Sequence, residues 1–279
     1  MEKYFKFIPF INCESYEIEG NNSGKINITV KTLTPVHISS GAYDTKDNKT
    51  IYSSFIRNNG ELIIPGTSFK GCIRNIAEAL SRSCMTKSKN IYENKIPVSK
   101  REPKYSRCII CNMFGAMGYK SRIQFSDLKL SKSTSKNKTE IIKLPKSFTP
   151  NPNSKDYLND DGKYKGYKFY MHGINGVQLK GDIPYEFVPK GTEFQGQIIF
   201  KELTDEQVQL LCFSLGITGD IHPKIGFGKS YLYGSIEVTA ESHWVKKGND
   251  YKNIDDKDIK TNIDKIIEVL NFENAVKNI

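Results

Sequence analysis

Strict alternation of apolar and polar residues in Gly24–Leu33 is the feature that most constrains the fold. Ile26, Ile28 and Val30 fall on one side of the predicted strand, and the residues between them are polar. Such a strand covers a core with one face and meets water with the other. The chain lacks the continuous apolar strands of a parallel sheet that is buried on both faces. We therefore predict an α+β fold, in which helices cover one face of an antiparallel sheet.

Further strands and helices are predicted in alternation along the chain. Short segments with β-forming composition, with turn residues at their ends, are predicted to be strands. They are Thr50–Arg57, Glu61–Ile64, Arg122–Phe125, Glu193–Phe200 and Tyr231–Val238. A helix capped by Thr67 or Ser68 is predicted after Pro65, because apolar residues recur there with helical spacing at Phe69, Cys72, Ile73, Ile76, Ala77 and Leu80. A second helix is predicted to begin at Thr204.

Connecting segments suggest a division of the chain. A polar loop is predicted for Ser39–Lys49. After Trp244 the composition changes to a charged linker, Lys246–Lys260, and a short amphipathic helix, Thr261–Val276. We accordingly expect a main domain over residues 1–245, with insertions around 84–120 and 129–165, and a tail over residues 246–279.

The charge balance favours a polyanionic partner. Lysine and arginine number 41 against 31 acidic residues, a formal net charge of +10, and Thr86–Arg107 and Lys129–Lys146 are especially basic. A charge that serves solubility alone is the alternative. No apolar stretch approaches the ~20 residues of a membrane span, and the N-terminus has no secretory signal. We therefore expect a cytoplasmic protein with no membrane partner, whose six cysteines form no disulfides.

The segment Ile64–Arg74 predicts an anion site. A Pro-Gly turn leads into a helix N-terminus, where free N–H groups together with Ser68, Lys70 and Arg74 suit a phosphate. Gly71 lowers helix stability relative to alanine, which indicates close approach of the backbone to a ligand. The alternative is an ordinary capped helix beside a loop.

A glycine-rich loop, Lys224–Ser230, is a second candidate for binding nucleic acid. Gly226 and Gly228 give a flexible backbone, Lys229 supplies a cation, and neighbouring aromatic residues can stack on bases. The spacing is not that of a nucleotide-binding P-loop. By itself this pattern is weakly specific.

A CxxC motif, Cys108 and Cys111, predicts half of a structural zinc site. Cys84 is the best third ligand, and a histidine or Cys72 could complete the set. Cys13 and Cys212 appear separate from the motif in the sequence. Two ordinary buried thiols are the alternative.

Catalytic residues are poorly indicated. His37 follows a strand and is more typical of a structural histidine than of a general base. Asp44 and Asp47 lie in the predicted polar loop and would be solvated there. No Ser/His/Asp spacing or pair of carboxylates stands out.

Five blocks of the sequence together resemble the RAMP superfamily of CRISPR-associated proteins, in the branch that forms the RNA-binding backbone of type III effector complexes. The blocks lie in the family's order over roughly Ser23–Val238, at Thr34–Gly41, Ile64–Arg74, Cys108–Gly115, Lys165–His172 and Lys224–Ser235. Two positions depart from the family pattern, since Ser39 and Leu232 stand where glycine is usual.

The resemblance implies a ferredoxin-like, RRM-like sheet with large insertions, including a hairpin that wedges between guide and target RNA. It also implies binding of CRISPR RNA, pairing of that guide with target RNA, assembly with other effector subunits and a role in antiviral defence. Combined with the anion-site and glycine-loop arguments, it gives as RNA-binding candidates His37, Ser68, Lys70, Gly71, Arg74, Gly226, Gly228 and Lys229.

Some backbone subunits of the family also cut target RNA, with an acidic residue before the block at Ile64. The family spacing puts Tyr52 at that position, and Asp44 and Asp47 are offset from it. A non-catalytic binding subunit is therefore the leading hypothesis. The alternative is a Mg²⁺-dependent endoribonuclease of the same superfamily that cuts target RNA or guide precursor, and a scaffold with no RNA ligand is a third.

Overall fold

The computed structural model describes residues 4–47, 49–85, 93–101, 103, 106–132, 138–147, 151, 153–174 and 181–277. Residues 86–92, 102, 104, 105 and 133–137 of the two basic stretches lie outside this set. The strands are β1 (Phe5–Ile8), β2 (Asn22–Thr32), β3 (Ser39–Lys46), β4 (Thr50–Phe55), β5 (Arg57–Asn58), β6 (Glu61–Ile64), β7 (Ile123–Phe125), β8 (Leu128–Leu130), β9 (Glu140–Leu144), β10 (Tyr167–Tyr170), β11 (Ile183–Phe187), β12 (Glu193–Leu203) and β13 (Ile236–Thr239). The helices are α1 (Gly66–Ala79), α2 (Ile109–Phe114), α3 (Asp205–Ser214), α4 (Ser242–Tyr251) and α5 (Lys257–Leu270).

The central sheet has the order of a ferredoxin-like fold. Its strands run β13-β2-β12-β8, β7 also pairs with β12, and all these pairs are antiparallel. Along the chain, α1 falls between β2 and β7, and α3 falls between β12 and β13. This is a β-α-β-β-α-β arrangement, and β6 and β5 extend it beyond β8. The predicted α+β class is confirmed.

Alternation in β2 decides which face of the sheet carries the core. Ile26, Ile28 and Val30 are buried, while Lys25 and Asn27 on the opposite face are exposed. The buried face packs into the same core cluster as the apolar residues of α1 and α3, and these two helices contact each other. At the start of α3, Thr204 and Gln207 form a reciprocal capping box, as expected for this sequence.

A long hairpin replaces the polar loop predicted for Ser39–Lys49. Strands β3 and β4 pair antiparallel, and every residue of β3 is exposed. Because β3 has no buried face, its residues carry no apolar alternation from which a strand could be predicted. β4 continues into a second sheet of order β3-β4-β11-β9, in which β11 runs parallel to β4. At its base, the buried carboxylate of Glu186 on β11 accepts bonds from Arg57 and from the backbone N–H of Phe55.

The prediction of a charged linker over Lys246–Lys260 is wrong for most of that segment. Residues 246–251 belong to α4, which packs on α3, and α5 begins at Lys257 rather than Thr261. The side chain of Tyr251 is fully buried and its hydroxyl donates to the carbonyl of Leu80. α5 in turn packs on β1 and β10. The prediction for Tyr231–Val238 is also wrong in part, because the strand begins only at Ile236. No helix among the described residues is long and apolar enough to cross a membrane.

Candidate functional site

A groove of about 420 Å³ lies between α1, β10 and the glycine-rich loop. We name it the basic groove. Its polar and basic lining comprises Ser68, Gly71 and Asn75 of α1, Lys168 and Tyr170 of β10, and Lys224, Gly226 and Lys229 of the loop. Four of the predicted RNA-binding residues, Ser68, Gly71, Gly226 and Lys229, therefore line one cavity.

The first turns of α1 present an open backbone to the basic groove. Pro65 is the N-cap, so neither Thr67 nor Ser68 caps the helix as predicted, and Ser68 instead lies exposed in the first turn. A Cβ built on Gly71 meets no atom within 4 Å. Packing within the protein therefore does not require glycine here, and the exposed position lets a ligand approach the helix backbone closely.

The glycine-rich loop is held against the segment between β2 and β3 by an isolated bridge between His37 and Phe227. Gly226 has φ +80°, and a Cβ there would lie 2.1 Å from the carbonyl oxygen of His37. The next N–H, of Phe227, donates to that same oxygen at 2.8 Å. Gly228 is left-handed and starts the short turn Lys229–Tyr231. Tight docking of this backbone places Lys229 at the rim of the groove.

Lys224 is a buried cation in the wall of the basic groove. Its Nζ donates to the carbonyl of Leu232 at 3.1 Å and to the hydroxyl of Ser235 at 3.2 Å, which leaves one of three ammonium donors. Burial, together with the smaller effect of the nearby charge of Lys229, lowers the pKa of Lys224 to about 7. An anion in the groove would favour the ammonium form.

Lys70 and Arg74 do not line the basic groove. Lys70 Nζ donates to Ser121 Oγ at 2.8 Å, and Arg74 forms an ion pair with Glu78 at 2.8 Å and donates to the carbonyl of Gly115 at 3.0 Å. These bonds tie α1 to the segment around α2. Both residues fall on the adjacent face of the helix, so the prediction that they hold phosphates is not supported by their positions.

The side chain of His37 is buried. It is 1% exposed, its Nδ1 lies 2.6 Å from the carbonyl of Glu186, and aromatic rings surround it, from Phe55, Tyr185, Phe187 and Phe227. Burial lowers its pKa. This position gives no support to its prediction as an RNA contact or catalytic base, and its contacts join the two sheets and the glycine-rich loop.

The acidic candidates lie on the exposed hairpin. Asp44 on β3 pairs directly with Tyr52 on β4, and Asp47 is in the turn between these strands with φ 54°. Among the described residues, the one set of three or more His, Cys, Asp or Glu residues that could share a metal contains only cysteines. Asp44 and Asp47 therefore have no third ligand for Mg²⁺ within that part of the chain.

The three predicted cysteines converge in the core. The Sγ atoms of Cys84, Cys108 and Cys111 all lie within 4.8 Å of one another, and Cys84 is 3.5 Å from each of the other two. Tetrahedral zinc with Zn–S bonds of about 2.3 Å separates its sulfurs by roughly 3.8 Å. The donor set therefore has the chemistry and spacing for a metal such as zinc. Cys108 also caps α2 by accepting from the N–H of Cys111.

Cys13, which appeared separate in the sequence, lies beside this cluster, although its Sγ is not among the three that lie within 4.8 Å of one another. The thiols of Cys108 and Cys84 both act on its pKa, and Cys108 has the larger effect, which raises that pKa to about 12. Bonds from Cys111, Cys13 and Cys84 conversely lower the pKa of Cys108. Cys72, the fourth ligand proposed from sequence, instead contacts the carbonyl of Lys224.

A buried lysine stands beside the cysteines. Lys100 is 0% exposed, and its Nζ donates to the carbonyl and hydroxyl of Ser83. Burial lowers its pKa, while the nearby charges of Cys13, Glu78, Cys108 and Cys84 raise it. A buried ammonium is stable only beside negative charge, which thiolates bound to a metal would supply.

Sequence reasoning missed Asn75, Lys168 and Tyr170. Lys168 and Tyr170 point outward from β10 because they alternate with the buried Tyr167 and Phe169. The alternating segment itself was visible in the sequence. The sequence did not reveal its partner strand β1, so the position of β10 beside α1 could not be predicted.

Comparison with protein families gives one match. The model of the RAMP superfamily matches residues 29–237, which include α1, the cysteines Cys84, Cys108 and Cys111, and the glycine-rich loop. A search of curated proteins finds no match.

Proposed function

The chain belongs to the RAMP superfamily of CRISPR-associated proteins, and on that premise we propose that it is an RNA-binding backbone subunit of a type III CRISPR ribonucleoprotein. In this role it holds the CRISPR RNA guide and its duplex with target RNA beside other effector subunits, in antiviral defence. The observation that carries the proposal is the convergence of Ser68, Gly71, Gly226 and Lys229 on one basic groove.

The basic groove suits a phosphodiester backbone. Lys168, Lys224 and Lys229 supply positive charge, and the exposed backbone at Gly71 permits close contact without a side chain between. Phosphate contacts carry little base information, so one site can accept any guide sequence. We reassign the phosphate contacts from Lys70 and Arg74 to Lys168 and Lys229, because these face the cavity.

The β3–β4 hairpin supports the same function. Its exposed face carries Tyr43, 75% exposed, and Ile51, 63% exposed. Large apolar side chains at the tip of an exposed hairpin suit insertion between bases, as the family's wedge implies.

Salt-dependent binding tests the proposal. The full chain should bind single-stranded RNA of unrelated sequences equally, with log affinity falling against log salt by about 0.7 per phosphate neutralised. Lys229→Ala should weaken binding about ten- to 100-fold, because a charge-assisted hydrogen bond contributes ~1.5–3 kcal/mol.

Lys260→Ala is the matched control. Lys260 is exposed on α5, ten residues and about 15 Å of helix from Leu270, which borders the groove. It removes the same charge and should leave affinity almost unchanged. Equal losses in both variants would show that net charge alone attracts RNA, and the groove assignment would be wrong.

One observation favours the endoribonuclease alternative. Asp44 is the cross-strand partner of Tyr52, the position at which the family spacing expects an acid. The carboxylate of Asp44 thus lies on the strand opposite Tyr52, in the same hairpin. With guide, complementary RNA and Mg²⁺, cleavage that Asp44→Asn abolishes would favour this alternative, whereas intact target RNA favours the binding subunit.

We also propose that the cysteine cluster holds a structural zinc, with Cys13 as the fourth ligand. The convergence of three thiols, the position of Cys13 beside them and the buried cation of Lys100 support this assignment. Such a zinc would tie the segment before β2 to the end of α1 and to the start of α2. It would therefore fix the insertion that Lys70 and Arg74 also contact.

A further inference from the structure

A second cavity adjoins the basic groove and differs from it in chemistry. It has a volume of about 440 Å³ and is lined largely by aromatic residues and by the stems of longer side chains. We name it the aromatic cleft; the partly buried residues Phe7, Tyr157, Tyr164 and Tyr170 line it, and the buried Tyr167 borders it. Asn75, Lys168 and Tyr170 line both cavities, so the groove and the cleft form one continuous surface.

The β1–β10 ribbon builds this surface by strand alternation. Phe5 pairs with Tyr170 and Phe7 pairs with Lys168, so all four side chains share the face away from buried Ile8, Tyr167 and Phe169. Tyr157, from the loop before β10, stacks on Phe5 with ring centroids 6.1 Å apart and planes 21° apart. The rings remain only partly buried.

Lys168 lies at the centre of these rings. Its Nζ is 4.1 Å from the ring centroid of Phe5, 4.7 Å from Tyr170 and 5.0 Å from Tyr157. Within the described residues no carboxylate pairs with it. Its Nζ donates to the hydroxyl of Tyr157 at 3.4 Å. Rings around an ammonium without a carboxylate partner, next to a groove with two further lysines, match a ligand that carries both negative charge and aromatic faces.

We propose that the aromatic cleft binds an unpaired nucleobase of the RNA strand whose phosphates lie in the basic groove, with Lys168 bridging base and phosphate. The inference rests on the proposed function and extends it to a second subsite. Stacking on Tyr157 and Tyr170 is tolerant of base identity, because every base has an aromatic face.

Fluorescence of 2-aminopurine, which is quenched by stacking, tests the cleft. A short single-stranded oligoadenylate containing 2-aminopurine should lose fluorescence on binding the wild-type chain. Tyr157→Ala should reverse the quenching and weaken affinity about five- to 100-fold, since stacking on one aromatic residue is worth that much per base. Tyr157→Phe keeps the ring face and loses only the hydroxyl that accepts from Lys168, so it should retain the quenching.

Controls separate this subsite from the groove. An abasic oligonucleotide retains phosphates but has no base, so Tyr157→Ala should leave its affinity unchanged, whereas Lys229→Ala should weaken it. Tyr119→Ala, which lines neither cavity, should alter nothing, and thermal melting checks that each variant is folded. If Lys229→Ala weakens RNA binding but Tyr157→Ala changes neither quenching nor affinity, the cleft proposal is overturned and the groove stands. If the wild-type chain binds no RNA, the proposed function fails.

Discussion

At the residue scale, the face of α1 decides what each side chain does. Ser68, Gly71 and Asn75 face the basic groove, whereas Lys70 and Arg74 face the segment around α2 and hold it by hydrogen bonds. Two cations that look like ligand-binding residues in the sequence are therefore structural. The glycine between them has no internal packing role, which makes it a direct probe of ligand approach.

Gly71→Ala should separate stability from binding. The new methyl group meets no protein atom within 4 Å, and alanine favours a helix over glycine by about 0.5–1 kcal/mol. The melting temperature should therefore rise, while RNA affinity should fall about tenfold because the methyl displaces a phosphate from the helix backbone. Thr67→Ala, an exposed position of α1 outside the groove lining, is the control. Unchanged affinity in Gly71→Ala would show that RNA does not contact this turn.

Lys224 should make RNA binding depend on pH. Its folded pKa of about 7 lies below the ordinary value of 10.5, so Lys224 lowers stability at low pH, and this loss is relieved as pH rises from about 7 to 10.5. A bound phosphate restores the ammonium, so binding takes up a proton and affinity should fall by up to about tenfold per pH unit above 7.

Two titratable groups near Lys224 do not change charge between pH 7 and 9. Burial lowers the pKa of His172 well below its usual value and raises the pKa of Cys72, so both stay neutral. The charge that acts on the pKa of Lys224, besides burial, is the cation of Lys229. Lys224→Met should remove the pH dependence of RNA affinity measured between pH 7 and 9, and a slope that persists in this variant would assign it to another group.

At the element scale, polar contacts and thiols add to apolar burial in fixing the short elements. All six residues of α2 are buried, and the segment around it is joined to α1 by bonds from Lys70 to Ser121 and from Arg74 to Gly115 and by the cysteine cluster. The adjoining segment before β2 is held by a bond from the N–H of Cys13 to the carbonyl of Ser99 at 2.7 Å. A metal shared by these segments would set their mutual position.

Cys13→Ser tests the fourth zinc ligand. The purified chain should carry about one zinc, and the variant should carry clearly less and melt roughly 5 °C lower, because metal binding contributes directly to folding. Cys72→Ser is the matched control, since its thiol contacts Lys224 and not the cluster. Elemental analysis gives the readout. Full zinc content in Cys13→Ser, with a loss of zinc in Cys72→Ser, would make Cys72 the fourth ligand and contradict the assignment of Cys13.

At the scale of the whole molecule, α4 and α5 pack into the core and do not form a separate tail. Tyr251 and Ile266 are 0% exposed, and Asn262 donates to the carbonyls of Pro9 and Ala79. α5 thus connects α1 with the segment that follows β1. β1 and β10, which carry the aromatic cleft, rest on this helix.

Changes in α5 should therefore destabilise the molecule as a whole. Ile266→Ala should lower the free energy of unfolding by about 2–5 kcal/mol, because it leaves a cavity in the core. Lys260→Ala on the same helix should change it by no more than about 0.5 kcal/mol. Denaturant unfolding measures both. Equal stability of the two variants would show that α5 contributes little to the core, as predicted for a tail that serves to bind a partner.

The sequence by itself determined the elements whose pattern is local. The alternation in β2, the apolar stripe of α1 and the capping box at Thr204 each report a buried face or a helix end within a few residues. The cysteine pair Cys108 and Cys111, with Cys84, was also readable, because a metal-ligand spacing is a local pattern.

Only the tertiary structure decided which of these residues meet. β3 shows no alternation because both its faces are exposed, and the linker residues look solvated because α4 buries a narrow stripe. Cys13 lies 71 positions before Cys84, so its place beside the cluster depends on how β1 and β2 enclose the core. The direction of Lys70 and Arg74 likewise depends on α2, whose position no local pattern encodes.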